Sequence, residues 1–200
     1  MRVTLWVDAL EPHLGGIGRY TWELCKGIAQ LPDADLAFFG RGRLIRDPQI
    51  LLTHVRLPRR SRVRRLIDWW KVRQRLRDSL VHGPNYFLPD RAETGVITVH
   101  DLSVFKYPET HPAKRVQDFE RRFLSSLNRA EHIITDTETV RNEVVEMFGV
   151  GLDRITAIPL GVDERFRPAA PDVLGALQAW GVEPRGYGLC ISTLEPRKKI

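Results

Sequence analysis

The sequence predicts an α/β fold, a Rossmann-like parallel sheet flanked by helices, with a second Rossmann-like domain that begins near the end of the chain. Two observations carry this. Short β-branched or aromatic runs alternate with longer amphipathic segments along the chain, the pattern that builds a parallel sheet with helical crossovers. The 200 residues, 42% of them hydrophobic, suffice for one sizeable core and leave chain for a second domain to start.

Taken in order, Arg2–Asp8 reads as a strand. The segment from about Gly16 to Gln30 reads as a helix, because Ile17, Tyr20, Leu24 and Ile28 recur at spacings of three and four. Leu36–Gly40 is expected to be a second strand and Thr53–Leu57 a third. Ser61–Leu80 is helical, and a short strand at Leu80–His82 runs into Gly83-Pro84-Asn85. Val96–His100 is the clearest buried strand, since Val96-Ile97-Thr98-Val99 is apolar or β-branched throughout and lies between Gly95 and Asp101. A long helix from about Pro112 to Asn128 and a strand at His132–Thr135 follow. The next helix has Asp136 or Thr137 as its N-cap and Gly149 as its C-terminal glycine. Arg154–Ile158 completes the first sheet.

The segment Arg165–Pro171 then reads as an interdomain connector. A short helix at Asp172–Trp180, a strand at Tyr187–Ser192 and a polar loop at Glu195–Lys199 are expected after it. One strand cannot close a core, so the division is 1–165 for the first domain and 166–200 for a linker and the opening of an incomplete second.

Composition narrows the function classes. Cys25 and Cys190 are far apart and each lies in an apolar stretch, which suggests two buried thiols in a reducing, cytoplasmic setting rather than a bridge or a metal site. The N-terminus has no signal-peptide pattern, and no apolar run approaches the roughly 18 residues of a membrane span. The net charge of +6 is uneven: residues 56–77 hold ten cations against Asp68 alone, so this stretch carries +9 and the rest of the chain −3. Such a patch attracts phosphates or anionic lipid and says nothing about fold. On its helix, Val63, Leu66, Ile67 and Trp70 share one face, whereas Trp69, Val72, Leu76 and Leu80 fall on another. Packing on the sheet with arginines in water, and contact of Arg59, Arg62, Arg65, Trp69 and Trp70 with an acceptor or a membrane surface, both remain open. Nucleic-acid binding is disfavoured, because no stacking aromatics interleave with the cations outside the Trp pair.

Three further segments carry chemistry. Gly15-Gly16-Ile17-Gly18-Arg19-Tyr20 lies at the joint of the first strand and helix, where glycines permit close backbone approach and free N–H groups favour phosphate. It departs from a dinucleotide fingerprint, having Thr21 where a third glycine would stand and six residues between strand and glycines, and an ordinary tight turn is the alternative. His100-Asp101 ends a central strand, where open α/β sheets bind ligands; the alternative is a loop histidine bonded to Asp101. Glu195-Pro196-Arg197-Lys198-Lys199 clusters cations at a strand end, as a pyrophosphate leaving group requires, or forms a solvated face.

Together these residues resemble family-four glycosyltransferases of the GT-B fold, in particular the bacterial mannosyltransferase-like group that builds O-antigen and other surface polysaccharides. The ordered segments are Gly15–Tyr20; His82-Gly83-Pro84-Asn85-Tyr86; Val96–Leu102 continuing to Tyr107-Pro108-Glu109; Ile158-Pro159-Leu160-Gly161-Val162-Asp163; and Ser192–Lys198. The resemblance implies retaining, metal-free hexose transfer from a nucleotide-sugar donor, GDP-mannose favoured, to a glycan or lipid-linked acceptor, at the inner face of the plasma membrane. It implies that Gly15 and Gly16 lie near the donor diphosphate, that His100 contacts the transferred sugar, and that Lys198 binds the pyrophosphate. Many members carry an arginine near the position of Ser192, a contact Arg197 is expected to replace here. The paired glutamates of the family's donor domain lie beyond these residues, so the chain alone is expected to be inactive. A basic interaction module, or another GT-B enzyme such as a sugar-nucleotide epimerase, is the alternative reading.

Overall fold

The computed structural model describes residues 1–168 apart from 56 and 60, together with 179–183 and 186–191. The chain divides into two compact units, Met1–Pro159 and Leu160–Ile200.

The first unit is a seven-stranded sheet. Strands β1 (Arg2–Trp6), β2 (Asp35–Gly40), β3 (Arg43–Ile45), β4 (Leu80–Gly83), β5 (Gly95–Val99), β6 (Ala130–Thr135) and β7 (Ile155–Ala157) lie in the order β3-β2-β1-β4-β5-β6-β7. All neighbours are parallel except β2 and β3. The crossovers carry α1 (Gly16–Ala29), α2 (Arg62–Arg77), α3 (Ser103–Lys106), α4 (Ala113–Arg129) and α5 (Glu138–Phe148).

Alternation along β1 separates two cores. Leu5 and Val7 pack with Cys25 of α1, whereas Trp6 lies against the larger cluster built from β4, β5 and β6 with Val72 and Leu76 of α2, Phe123 and Leu127 of α4, and Val144 of α5. Four phenylalanines, Phe105, Phe119, Phe123 and Phe148, interlock in the larger core, with ring centroids 5.1–6.0 Å apart. Arg75 ties α2 to the sheet: its guanidinium donates to the Asp35 carboxylate at 2.7 Å, to the Val3 carbonyl and to the Thr4 hydroxyl.

The helix ends follow the side chains. Ser61 Oγ accepts from Arg64 N at the start of α2, and Thr137, not Asp136, caps α5 by accepting from Val140 N. Gly149 ends α5 in the left-handed region at φ 65°.

Three expectations are corrected. The third strand is β3 and not Thr53–Leu57, where no described residue is in a strand. The reason is local: Arg41 and Gly42 both take positive φ (50° and 74°), the geometry of a tight hairpin turn, so β3 folds straight back onto β2 and occupies the sheet edge. The chain then turns at Pro48–Leu52, where Asp47 caps a short 3₁₀ helix and Leu51 is buried. In the second unit, residues 187–191 are in no strand; a strand needs a hydrogen-bonded neighbour, and the described residues of that unit offer none. Cys190 is accordingly exposed rather than buried, while Cys25 is buried as expected. Of the expected short helix, 172–178 lie outside the described residues, as do Ser192, Arg197 and Lys198.

Candidate functional site

The chain reverses direction across the sheet between β1 and β4: β2 and β3 lie on one side of β1, and β4 to β7 on the other. In an open parallel sheet such a switch point leaves a crevice beyond the carboxyl ends of the strands. The β1–α1 and β4–β5 loops meet there, beside the loop that follows β5.

The β1–α1 loop is fixed from below by Leu10, which is fully buried. At its side, Asp8 accepts from Trp6 Nε1 at 2.8 Å and from Arg41 N at 2.6 Å. Gly15 is the N-cap of α1 and supplies no side-chain cap, so the first N–H groups of the helix keep no partner from a capping side chain. A Cβ at Gly15 or Gly16 would meet nothing within 4 Å. The space over the helix start is open, as an approaching phosphate needs. Gly18 differs: a Cβ there would stand 2.9 Å from the Ala9 carbonyl oxygen and 2.9 Å from Leu14 Cδ2. Its glycine is required for packing helix against loop.

His100 follows β5 directly. Val99 pairs with Thr135 in the β5–β6 register, so the next residues, His100 and Asp136, stand side by side. Nδ1 of His100 lies 2.7 Å from Asp136 Oδ2, and Nε2 lies 2.9 Å from the Pro84 carbonyl oxygen. A carbonyl only accepts, so Nε2–H donates to it. The histidine's partner is therefore Asp136, which directly follows the neighbouring strand β6, and the Asp101 carboxylate accepts from Ser103 N. Two aromatic edges hold the ring, Tyr20 of α1 at 4.9 Å between centroids and Tyr86 at 5.7 Å. Tyr20 is one turn from Gly16, which brings the glycine loop and His100 to the same edge of the sheet.

Beneath the ring lies a polar core that sequence reasoning missed. Thr98 Oγ1 sits between Tyr20 Oη at 3.1 Å and His82 Nε2 at 2.9 Å. Burial, reinforced by the neighbouring His100, pushes the His82 pKa down to about 4, so this histidine is neutral at pH 7. Burial also raises the Tyr20 and Tyr86 hydroxyls above their ordinary range. Tyr86 takes a left-handed φ of 63° while its N–H bonds the Thr98 carbonyl, a conformation uncommon for a bulky residue. The signal for this group was positional: Tyr20, His82, Thr98 and Asp136 all lie at or near strand ends or the first turns of helices on one edge.

The basic segment builds a separate feature. Arg59, Arg62, Arg65 and Trp69 line a groove of about 880 Å³ together with Arg41, Arg43 and Arg91. Its lining includes neither His100 nor Gly15 and Gly16. Trp70 does not line this groove and stands instead with Arg73, Gln74 and Arg77 along a smaller one. Among the described residues, no helix is long and apolar enough to cross a membrane.

The fold and this edge define a doubly wound α/β domain with a topological switch point between β1 and β4. Residues 14–166 match the model of Glycosyltransferase Family 4, and the chain belongs to that family. It is also similar to the O-antigen chain mannosyltransferase B of Escherichia coli, with 33% identity over 228 aligned residues that cover all of this chain and 58% of that protein. The chain thus spans less than two thirds of the length of this relative.

Proposed function

We propose that the carboxyl edge of the first unit is one wall of a sugar-nucleotide cleft in a retaining, metal-free mannosyltransferase that uses GDP-mannose and a glycan or lipid-linked acceptor. The family match and the similarity to an O-antigen chain mannosyltransferase support the reaction class. The observation that carries the reading is the convergence of the uncapped α1 N-terminus and His100 on one edge, at the switch between β1 and β4.

In this reading the donor diphosphate lies over Gly15 and Gly16, where backbone N–H groups and the helix dipole offset its charge. The glycosidic bond breaks as negative charge builds on the departing diphosphate and positive charge builds on the sugar ring. His100, oriented by Asp136, faces the sugar. It exchanges the Pro84 carbonyl for a sugar hydroxyl, and the carboxylate behind it offsets the positive charge. Arg197 and Lys198, outside the described residues, are the proposed partners of the leaving pyrophosphate. Holding donor and acceptor in line takes groups on two sides of a cleft, so the edge described here acts with a second wall.

The test is transfer of labelled mannose by the full-length enzyme carrying His100→Ala or Asp136→Asn. Turnover is expected to fall by about 10²-fold or more for the first and by less for the second, with thermal midpoints retained. Unchanged turnover in His100→Ala removes His100 from the site, and a preference for a donor other than GDP-mannose overturns the choice of sugar nucleotide.

A further inference from the structure

We propose that Tyr20 is a positioning residue: its hydroxyl locks the start of α1, where the donor diphosphate lies, to the strand that leads into His100. This inference rests on the transfer reading and deepens it.

The pieces come from opposite sides of the switch point. Tyr20 belongs to the helix that follows β1, whereas Thr98 on β5 and His82 on β4 lie beyond it. The Tyr20 hydroxyl nevertheless meets Thr98 Oγ1 at 3.1 Å, and the same oxygen bonds His82 Nε2 at 2.9 Å. Thr98 is fully buried. A threonine hydroxyl carries one proton, so at least one of its two partners donates to it, and the three groups form a chain across α1, β5 and β4. Within α1, Tyr20 stands four residues after Gly16, one turn along the same face. The turn leading to it is closed by Arg19 N–H donating to the Gly15 carbonyl at 2.9 Å. Anchoring the hydroxyl therefore anchors the glycine joint.

The same side chain touches His100. Its ring lies 4.9 Å from the imidazole, centroid to centroid, with the planes 84° apart, and Tyr86 repeats the arrangement at 5.7 Å and 82°. The bonds to Asp136 and Pro84 sit at the two ring nitrogens. They fix where the imidazole is and leave its tilt about the line between the nitrogens to the packed rings. When the Pro84 carbonyl gives way to a sugar hydroxyl, as the transfer reading requires, Tyr20 and Tyr86 keep that tilt. Tyr20 thus sets both the glycine joint and His100, the two groups that must face one donor molecule together. Rate is sensitive to such placement, since a 1 Å error costs about 10²-fold. A phenylalanine would fill the same space, so the hydroxyl is the part that separates positioning from packing.

The experiment is steady-state mannose transfer by the full-length enzyme carrying Thr98→Val, Thr98→Ser, Thr21→Val, or Tyr20→Phe alone and with His100→Ala. Tyr20→Phe and Thr98→Val are each expected to lower kcat about tenfold. The KM for GDP-mannose should stay within about threefold, because the backbone groups that take the diphosphate are intact. Thr98→Ser restores the hydroxyl and should recover most of the turnover that Thr98→Val loses. Tyr20→Phe with His100→Ala should be no slower than His100→Ala alone, as expected of a residue that acts through another. Thr21→Val is the structural control. That buried hydroxyl adjoins Tyr20 on α1 and donates within the helix to the Ile17 carbonyl at 2.9 Å, so its loss should lower the thermal midpoint and leave kcat at the parent value. Parent-level turnover in Tyr20→Phe or Thr98→Val, with His100→Ala slow, overturns this inference alone. So does a Tyr20→Phe loss that multiplies with that of His100→Ala, or a Thr21→Val enzyme as slow as Tyr20→Phe. Parent-level turnover in His100→Ala overturns the transfer reading and this inference with it.

Discussion

His82 links the site's polar core to a measurable pH dependence. Its ring is buried against Thr98, and its pKa lies at about 4 against an ordinary 6.5. Above pH 6.5 the histidine is neutral whether the protein is folded or unfolded, and it contributes no pH dependence. As pH falls below 6.5 the unfolded chain takes up a proton that the folded protein refuses until about pH 4, so stability is lost across that window. The loss is about 2 kcal/mol between pH 7.5 and 5.0 and approaches about 3 kcal/mol at pH 4. For a chain of this size 1 kcal/mol moves the thermal midpoint by about 2–4 °C, so the step to pH 5.0 is worth roughly 4–8 °C. The assay is thermal unfolding of the parent and His82→Gln proteins at both pH values. Other titrating groups act in both proteins, so the difference between the two pH losses isolates His82. The glutamine variant, whatever its own stability, should lose less on acidification by that amount. Equal losses in the two proteins would refute the assignment of a buried neutral histidine.

Three further outcomes follow from the packing. Gly18→Ala gains about 1 kcal/mol of helix propensity but forces its Cβ against the Ala9 carbonyl, a strain of about 1–3 kcal/mol. The midpoint should fall, whereas Gly16→Ala, with open space around it, should not lower it. Leu76→Ala should cost about 2–5 kcal/mol in urea unfolding, while Leu66→Ala, ten residues earlier on the same helix, should stay within about 0.5 kcal/mol; similar costs would mean that α2 is turned differently. In the native protein an aromatic disulfide reagent should titrate Cys190 at once and leave Cys25 until unfolding, because burial pushes the Cys25 thiol up to about 12.

Much of the first unit was legible because its signals are local. The β-branched run of β5, the Gly149 cap and the glycine joint before α1 each specify an element without reference to the rest of the chain. The misread third strand shows where this fails: Thr53–Leu57 has strand-like residues, but the Arg41-Gly42 turn had already committed the sheet edge to β3. The two faces of α2 posed a harder problem, since both stripes are apolar and only the position of Val72 and Leu76 against the sheet decides between them. His100 was found from its place at a strand end, yet Asp136 was read only as a possible helix cap. Its pairing with His100 depends on the β5–β6 register, a relation between residues 36 apart that no local pattern encodes. The neutral His82 was invisible for the same reason: its burial is a property of the assembled sheet.

In the proposed cleft the glycine joint and His100 form one ligand-binding wall. Amide NMR of the 200-residue chain titrated with GDP-mannose tests this most directly, because weak binding still moves resonances near the ligand. The amides of Gly15, Gly16 and Ile17 are expected to shift together with those of His100 and Asp101. Shifts centred on the Arg62–Trp69 groove, with Gly15, Gly16 and His100 unmoved, would contradict it.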